Sequence, residues 1–313
     1  MNKKMQCSFC HETAIYYRAY SGKYFCIKCF KESIEEKVIK TISKYNMLSY
    51  GEKILLMVSG GKDSIAMLRI LSKITKPHAS EIVVATIDEG ISEYREDALE
   101  IVKSVCNELD LPHYIFKFKD LFGYTIDEIS NLRRDISACS ICGIFRRRAM
   151  DLIAQKLNIQ IVATAHNLDD IIQTFLINLL NNDLKRLKWN LPVHHETSIF
   201  PQRRIKPLAE IYEEEIALYS FLNNERFQKM ACPYMHEGIR SQIREILNKL
   251  EKEHPGIKYS LFHSAIGVSK SITLSKKERK KCKICGAPTF SEKCSLCTTL
   301  QELNEIKNNQ VKI

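Results

Sequence analysis

The chain has 313 residues, 45% hydrophobic and 27% charged, and its 47 Lys and Arg outnumber its 37 Asp and Glu. Those fractions exclude a disordered chain. No apolar run approaches the roughly 18 residues of a membrane helix, and no apolar stretch follows the basic start MNKKMQCSFC to make a secretory signal. A cytoplasmic protein of about two domains is expected, and the net charge of +10 favours a polyanionic partner.

In chain order, Cys7, Cys10, Cys26 and Cys29 come first, as two C-x-x-C pairs with fifteen residues between them. This is a four-thiolate zinc spacing, and closed zinc sites of that kind are structural. Lys31 to Tyr45 follows as a helix with Ile34, Val38, Ile39 and Ile42 in a stripe. Lys53 to Val58 (KILLMV) is a continuous apolar run ending in Ser-Gly-Gly, as expected of a strand buried on both faces. Ser64 to Lys73 reads as a helix, Ile82 to Ile87 as a strand, Arg95 to Leu109 as an amphipathic helix and Tyr114 to Phe118 as a third strand. A helix near Arg146 to Leu157 and a strand at Ile159 to Thr164 complete the pattern. Strands alternating with helices predict an α/β fold with a doubly wound parallel sheet. Beyond Asn182 the pattern is helical and irregular. The expected organisation is a cysteine module over 1–32, an α/β domain over 33–270, and a second cysteine module with a tail over 271–313.

Ser59-Gly60-Gly61-Lys62-Asp63-Ser64 lies between a buried strand and a helix. Two glycines let backbone N–H groups approach an anion, and the helix N-terminus adds unpaired donors. The site is therefore a phosphate cradle at the carboxyl end of a strand. It lacks the Walker A spacing. His166-Asn167-Leu168-Asp169-Asp170 follows another strand, where the carboxylates can bind Mg²⁺ or move a proton. Asp170 is the first catalytic candidate and Asp169 the second.

Cys139 and Cys142 form a central C-x-x-C followed by Arg146, Arg147 and Arg148, and Cys232 lies far along the chain. Spacing alone leaves a redox dithiol, half of a zinc site, or an iron–sulfur cluster with one iron lacking a protein ligand. Cys106 falls on the inward stripe of its helix and reads as core. Cys282, Cys285, Cys294 and Cys297 repeat the paired C-x-x-C pattern more tightly. Basic clusters occur at Arg133-Arg134, Arg146 to Arg148, Lys185 to Lys188, Arg203 to Lys206 and Lys276 to Lys281. They suit phosphate contacts, and Trp189, Phe200 and Tyr234 are aromatics able to stack a base. His194-His195 reads as a polar loop.

S-G-G-x-D-S resembles the signature of the PP-loop ATPases, which split ATP between its α and β phosphates and activate a carbonyl oxygen as an adenylate. Further motifs follow in order: I-D-E-G-I at Ile87 to Ile91 with Tyr94-Arg95, C-S-I-C-G-I-F-R-R at Cys139 to Arg147, His166 to Asp170, and C-P-Y at Cys232 to Tyr234. With both terminal modules, they make the chain similar to the tRNA 2-thiouridine synthetases of the TtuA and NcsA type over roughly Cys7 to Cys297.

The resemblance implies ATP with Mg²⁺ held by Ser59, Gly60, Gly61, Lys62, Asp63, Ser64, Asp88 and His166. It implies a [4Fe–4S] cluster on Cys139, Cys142 and Cys232, two structural Zn²⁺ ions on the terminal modules, and catalytic roles for Asp170, Asp169, Arg146 and Lys62. The implied reaction adenylates uridine O2 of tRNA and replaces that oxygen by sulfur, taken as sulfide or from a ubiquitin-like thiocarboxylate carrier, in a homodimer. The C-G-x-F-R-R form favours the wobble uridine over the T-loop uridine. A 2-thiocytidine synthetase and a non-catalytic zinc-stabilised RNA-binding or sulfur-carrier protein are the alternatives. Glu93 and Ala165 stand where relatives carry glycine, and Arg146 where the TtuA group carries lysine.

Overall fold

The structure is a computed structural model, described over residues 5–132, 137–195, 202–234, 239–273 and 280–310. The basic pair Arg133-Arg134, Phe200 and Lys276 to Arg279 lie outside the described residues. Chain order begins with a hairpin, β1 (Tyr16–Arg18) and β2 (Lys23–Phe25), then α1 (Ile27–Lys44). The α/β part runs β3 (Lys53–Met57), α2 (Lys62–Thr75), β4 (Glu81–Asp88), α3 (Arg95–Leu109), β5 (His113–Lys117), α4 (Phe118–Phe122), α5 (Ile126–Leu132), α6 (Ala138–Lys156) and β6 (Ile161–Thr164). It continues with α7 (Leu168–Leu180), α8 (Leu184–Lys188), β7 (Val193–His194), β8 (Arg203–Ile205), α9 (Glu213–Leu222), α10 (Ile239–Glu253) and α11 (Ile257–Ser271). The last elements are β9 (Lys280–Lys281), β10 (Pro288–Thr289) and α12 (Ser295–Gln310).

The main sheet has the order β5-β4-β3-β6-β8-β7, parallel throughout except for the β7–β8 pair at one edge. Alternation along β3 explains the apolar run at its centre. Ile54 and Leu56 enter a core with α1, α2, α3 and α9, whereas Leu55 enters the opposite core with α4, α5, α6 and α12. Both faces of the strand are therefore covered, as a parallel sheet requires. A third apolar cluster joins α7 to α10 and α11. Cys106 is fully buried in the first core, and burial pushes its thiol up to about 11.

The chain leaves β3 toward β4 and β5 and returns to β6 on the other side of β3. This reversal makes a crevice outside the carboxyl ends of β3 and β6, where open α/β sheets bind ligands. The loop at Ser59 and the motif at His166 both open onto it.

Two differences from the sequence expectations matter. Helix α6 begins at Ala138, not near Arg146, so Cys139 and Cys142 occupy its first turn. The short strands β7 and β8 were not expected, because Arg203-Arg204-Ile205 has no apolar run. No described helix is long and apolar enough to cross a membrane.

Candidate functional site

The loop after β3 is built around Gly60. Its φ is +90°, and a Cβ there would stand 2.8 Å from Ala98 Cβ and 2.9 Å from Ala98 O. Only glycine fits that conformation so close to α3. Ser64 Oγ accepts hydrogen bonds from the backbone N–H of Ser59 (3.2 Å) and Gly60 (3.1 Å), and Ser59 Oγ accepts from Gly61 N–H (3.4 Å). These convergent donors are the ones an anion's oxygens would use. Lys62 Nζ reaches Asp63 Oδ2 at 2.9 Å and Glu213 Oε1 of α9 at 2.8 Å.

A buried arginine fastens this loop. Arg95 donates from Nη1 to Ser59 O (3.0 Å) and from Nη2 to Ile87 O (2.7 Å). Its Nε stands 2.9 Å from Glu89 Oε2, and Glu89 Oε1 stands 2.8 Å from Arg146 Nη2. Glu89 and Arg95 are both buried, while Arg146 keeps 45% of its side-chain surface exposed. Sequence reasoning quoted the segments containing Glu89 and Arg95 without giving either a role. Glu213 was missed altogether, inside the ordinary charge run Glu213-Glu214-Glu215.

The motif after β6 separates its two acids. Asn167 caps α7 by accepting from Asp170 N–H (2.9 Å), while Asp170 Oδ2 accepts from Asn167 N–H (3.2 Å). Asn167 Nδ2 also reaches Asp63 Oδ1 at 3.4 Å. Burial raises the pKa of both Asp63 and Asp170, and the charge of Asp170 raises Asp63 further. This pair of mutually repelling carboxylates can bind a divalent cation or hold a proton. Asp169 is turned elsewhere: its Oδ1 meets Lys258 Nζ at 2.5 Å and its Oδ2 accepts from Glu213 N–H at 2.8 Å. Asp88 Oδ1 accepts from Gly90 N–H (2.8 Å), and His166 Nδ1 lies 2.9 Å from Thr164 Oγ1.

Beside the loop is a cavity of about 720 Å³ lined by Gly61, Lys62 and Asp63 and also by Cys139, Cys142, Arg146, Cys232 and Tyr234. Spacing of three residues in the first turn of α6 puts both helix cysteines on one face. The segment carrying Cys232 is tied back to the loop, with Gln228 N–H donating to Gly60 O at 2.9 Å and its side chain donating to Tyr94 O. Tyr234 is anchored through its hydroxyl to Asp127 Oδ1 at 2.7 Å. All twelve cysteines are free.

Among the described residues, only the two terminal sets bring three or more ligand atoms within 4.8 Å of one another: Cys7, Cys10, Cys26, Cys29 and Cys282, Cys285, Cys294, Cys297. A tetrahedral ion with Zn–S bonds of about 2.3 Å places its sulfurs about 3.8 Å apart. Cys10 and Cys26 are 3.5 Å apart, and Cys285 and Cys294 are 3.6 Å apart, so each set fits one such ion. Burial raises Cys7, but the N–H groups of Cys26, Phe9 and Cys10 more than offset this and hold it at about 6. Cys282 is held at about 6 in the same way by the N–H groups of Cys285, Cys294 and Ile284. The central three share a cavity without converging so tightly, as suits a group larger than one ion. Three thiols facing an open space, with no fourth cysteine in its lining among the described residues, fit a cluster with one free iron.

A family model described as the PP-loop domain matches residues 31–251. A second, described as the N-terminal LIM domain of the 2-thiouridine synthetase TtuA, matches residues 6–31. The chain belongs to the PP-loop family, in its tRNA 2-thiolation branch. Among the relatives of this PP-loop protein is a probable sulfurtransferase of Methanocaldococcus jannaschii, 36% identical across 97% of this chain and 89% of that one. Cytoplasmic tRNA 2-thiolation protein 1 of Drosophila melanogaster is 33% identical, covering 95% of this chain and 87% of its own. A solved structure, the U34-tRNA thiolase NcsA from Methanococcus maripaludis with its [4Fe–4S] cluster, superposes with a TM-score of 0.85. It is 31% identical, over 97% of both chains.

Proposed function

We propose that this PP-loop enzyme is an ATP-dependent tRNA sulfurtransferase that converts a uridine, at the wobble position in preference to the T-loop, to 2-thiouridine. The observation that carries the reading is the single cavity lined by both the phosphate loop and three cysteines. A cavity with that lining would bring an adenylating centre and a sulfur site to one base. The wobble preference is supported by the likeness to a U34-tRNA thiolase along nearly the whole chain.

In this reading Ser59 to Ser64 cradle the phosphates of ATP. Lys62 neutralises charge on the departing pyrophosphate, and Asp63 with Asp170 binds Mg²⁺. Uridine O2 attacks the α-phosphorus, which turns a poor leaving oxygen into AMP. Asp170, whose carboxyl burial pushes above its ordinary value, is placed to move a proton as sulfur adds at C2 and AMP departs. Arg146, held by Glu89 at the cavity wall, supplies a fixed cation beside the developing charge. Cys139, Cys142 and Cys232 would hold a [4Fe–4S] cluster, which would supply the sulfur nucleophile. Zn²⁺ in the terminal modules would be structural.

The test is an anaerobic reaction of reconstituted protein with unmodified tRNA, ATP, Mg²⁺ and either sulfide or a thiocarboxylate carrier, with nucleosides read by mass spectrometry. ATP-dependent 2-thiouridine at the wobble position, lost in Cys232→Ala, is the expected result. Thiocytidine would move the protein to a different substrate, and thiouridine in the T-loop would overturn the position.

A further inference from the structure

Three basic clusters far apart in the sequence meet along the face of α6 that starts at the cysteine cavity. On α6, Gly143, Arg147 and Asp151 are spaced by four and form a column on one face. Gly143 lines the cavity, and the Arg147 guanidinium lies over it, Nη1 standing 3.3 Å from where a Gly143 Cβ would be. One turn on, Arg204 of β8 forms an ion pair with Asp151. Arg186 of α8 lies close enough for its charge to act on Arg147. Partial desolvation first, and then the charges of Arg186 and Arg204, lower the pKa of the solvent-exposed Arg147.

The acids at this patch are few and engaged. Asp151 is held by Arg204, and Asp183 by Arg186 Nε at 3.3 Å. Arg147 has no ion pair among the described residues. Gathering like charges costs free energy that a bound polyanion recovers, and guanidinium forks match phosphate oxygens. The patch also continues inward. Lys206, two residues beyond Arg204, hydrogen-bonds Leu191 O at 2.8 Å and is electrostatically coupled to Asp170.

We infer that Arg147, Arg186 and Arg204 form a phosphate clamp at the rim of the cysteine cavity, gripping the tRNA backbone next to the nucleotide whose base enters. This rests on the tRNA reading above. Contacts of this kind position the strand without reading its sequence.

The test measures affinity of the full-length protein for an unmodified tRNA transcript by fluorescence anisotropy across a potassium chloride series. For a single-stranded loop each phosphate contact contributes about 0.7 to the slope of log K against log salt. Arg147→Gln/Arg186→Gln is therefore expected to flatten the slope by about 1.4 and to weaken different tRNAs alike. Arg147→Lys, which keeps the charge, should preserve that residue's share. Arg147 and Arg186 are exposed, so neither change opens the core, and Lys249→Gln on α10 serves as a control with unchanged slope. A wild-type slope in the double variant, with wild-type protein still making 2-thiouridine, overturns the clamp and leaves the function standing. Wild-type protein that neither binds nor thiolates tRNA overturns both.

Discussion

Glu89 carries Arg95 on one carboxylate oxygen and Arg146 on the other, at 2.9 and 2.8 Å. One buried acid thereby links the arginine that fastens the phosphate loop to the arginine that faces the cysteine cavity. Removing one partner of a buried ion pair leaves the other uncompensated, at a cost of about 3–5 kcal/mol. Glu89→Gln is accordingly expected to lower unfolding stability by about 3 kcal/mol and to depress thiolation sharply. Adding Arg95→Met should restore much of the stability, since the stranded charge is gone. It should not restore turnover, because the bonds to Ser59 O and Ile87 O are lost with it. Urea denaturation beside a thiolation assay checks both halves. Recovery of activity in the double variant would show that the Arg95 anchor is dispensable.

Asp169 and Asp170 are neighbours in sequence with opposite surroundings, so their removal should separate. Asp169 neutralises buried Lys258, and Asp169→Asn strands that ammonium, costing about 3–5 kcal/mol. Asp170 carries a pKa raised by burial. A carboxyl whose folded pKa lies above its unfolded value destabilises the fold once pH exceeds the unfolded pKa, and the penalty is complete above the folded one. Asp170→Asn removes that charge while keeping an oxygen for the Asn167 N–H. The variant is expected to match or exceed the wild type in thermal midpoint at neutral pH, yet to lose about 100-fold or more in turnover. Paired melting curves and rates decide it, and a stable, fully active Asp170→Asn would remove this residue from the chemistry.

Most of the α/β frame could be read from the sequence because its strands are continuous apolar runs and its helices have apolar stripes. Arg95 to Leu109 was predicted to the residue, and the strand beginning at Lys53 to within one. The strand β8 was hidden because a three-residue strand next to the sheet edge needs only one buried side chain, Ile205, and its arginines are engaged by Glu52 and Asp151. Helix α6 was cut short because Cys139 to Gly143 reads as a motif, whereas its Ile141 and Cys142 supply the first buried turn. At the site, the phosphate loop and the cysteine sets carry spacing that local chemistry explains. Glu89 and Glu213 carry none, since a partner such as Arg146 or Lys62 is set by the fold and not by distance along the chain. For the same reason nothing in H-N-L-D-D could say which aspartate joins the Asn167 cap beside Asp63 and which pairs with Lys258.

Two left-handed backbone positions should respond in opposite directions. Gly60→Ala would drive a methyl group into Ala98, and it is expected to abolish ATP-dependent turnover. Gly61, with φ of −73° and its nearest neighbour 3.6 Å from a new Cβ, should accept alanine without loss of folding. Glu93 has a φ of +59° although it is not glycine. Left-handed geometry costs an L-residue about 1–2 kcal/mol, so Glu93→Gly is expected to stabilise by about 1 kcal/mol after the added chain entropy of glycine. Urea midpoints measure each change. A destabilised Glu93→Gly would show that the Glu93 side chain contributes more than its backbone costs.

The N-terminal cysteine module reaches the phosphate loop through α9. Arg18 Nε meets Glu215 Oε1 at 2.6 Å, Tyr20 donates to the same carboxylate at 2.9 Å, and Lys37 Nζ lies 3.1 Å from its other oxygen. Glu215 is fully buried, and two residues earlier on the same helix Glu213 holds Lys62. A bound ion that orders the module therefore also seats the partners of Glu215, and apparent binding free energies of structural zinc, about 10–16 kcal/mol, are ample for it. Metal analysis of the wild type is expected to give two Zn per chain. Cys10→Ser, at an exposed position that leaves no core cavity, should give one, with a lowered thermal midpoint and weakened ATP-dependent turnover. Glu215→Gln should keep both ions and still melt earlier, because Arg18 loses its counter-charge. If Cys10→Ser lost its ion but kept the wild-type midpoint and rate, the module would be a passenger, and the path from Cys10 through Arg18 and Glu215 to Lys62 would carry no coupling.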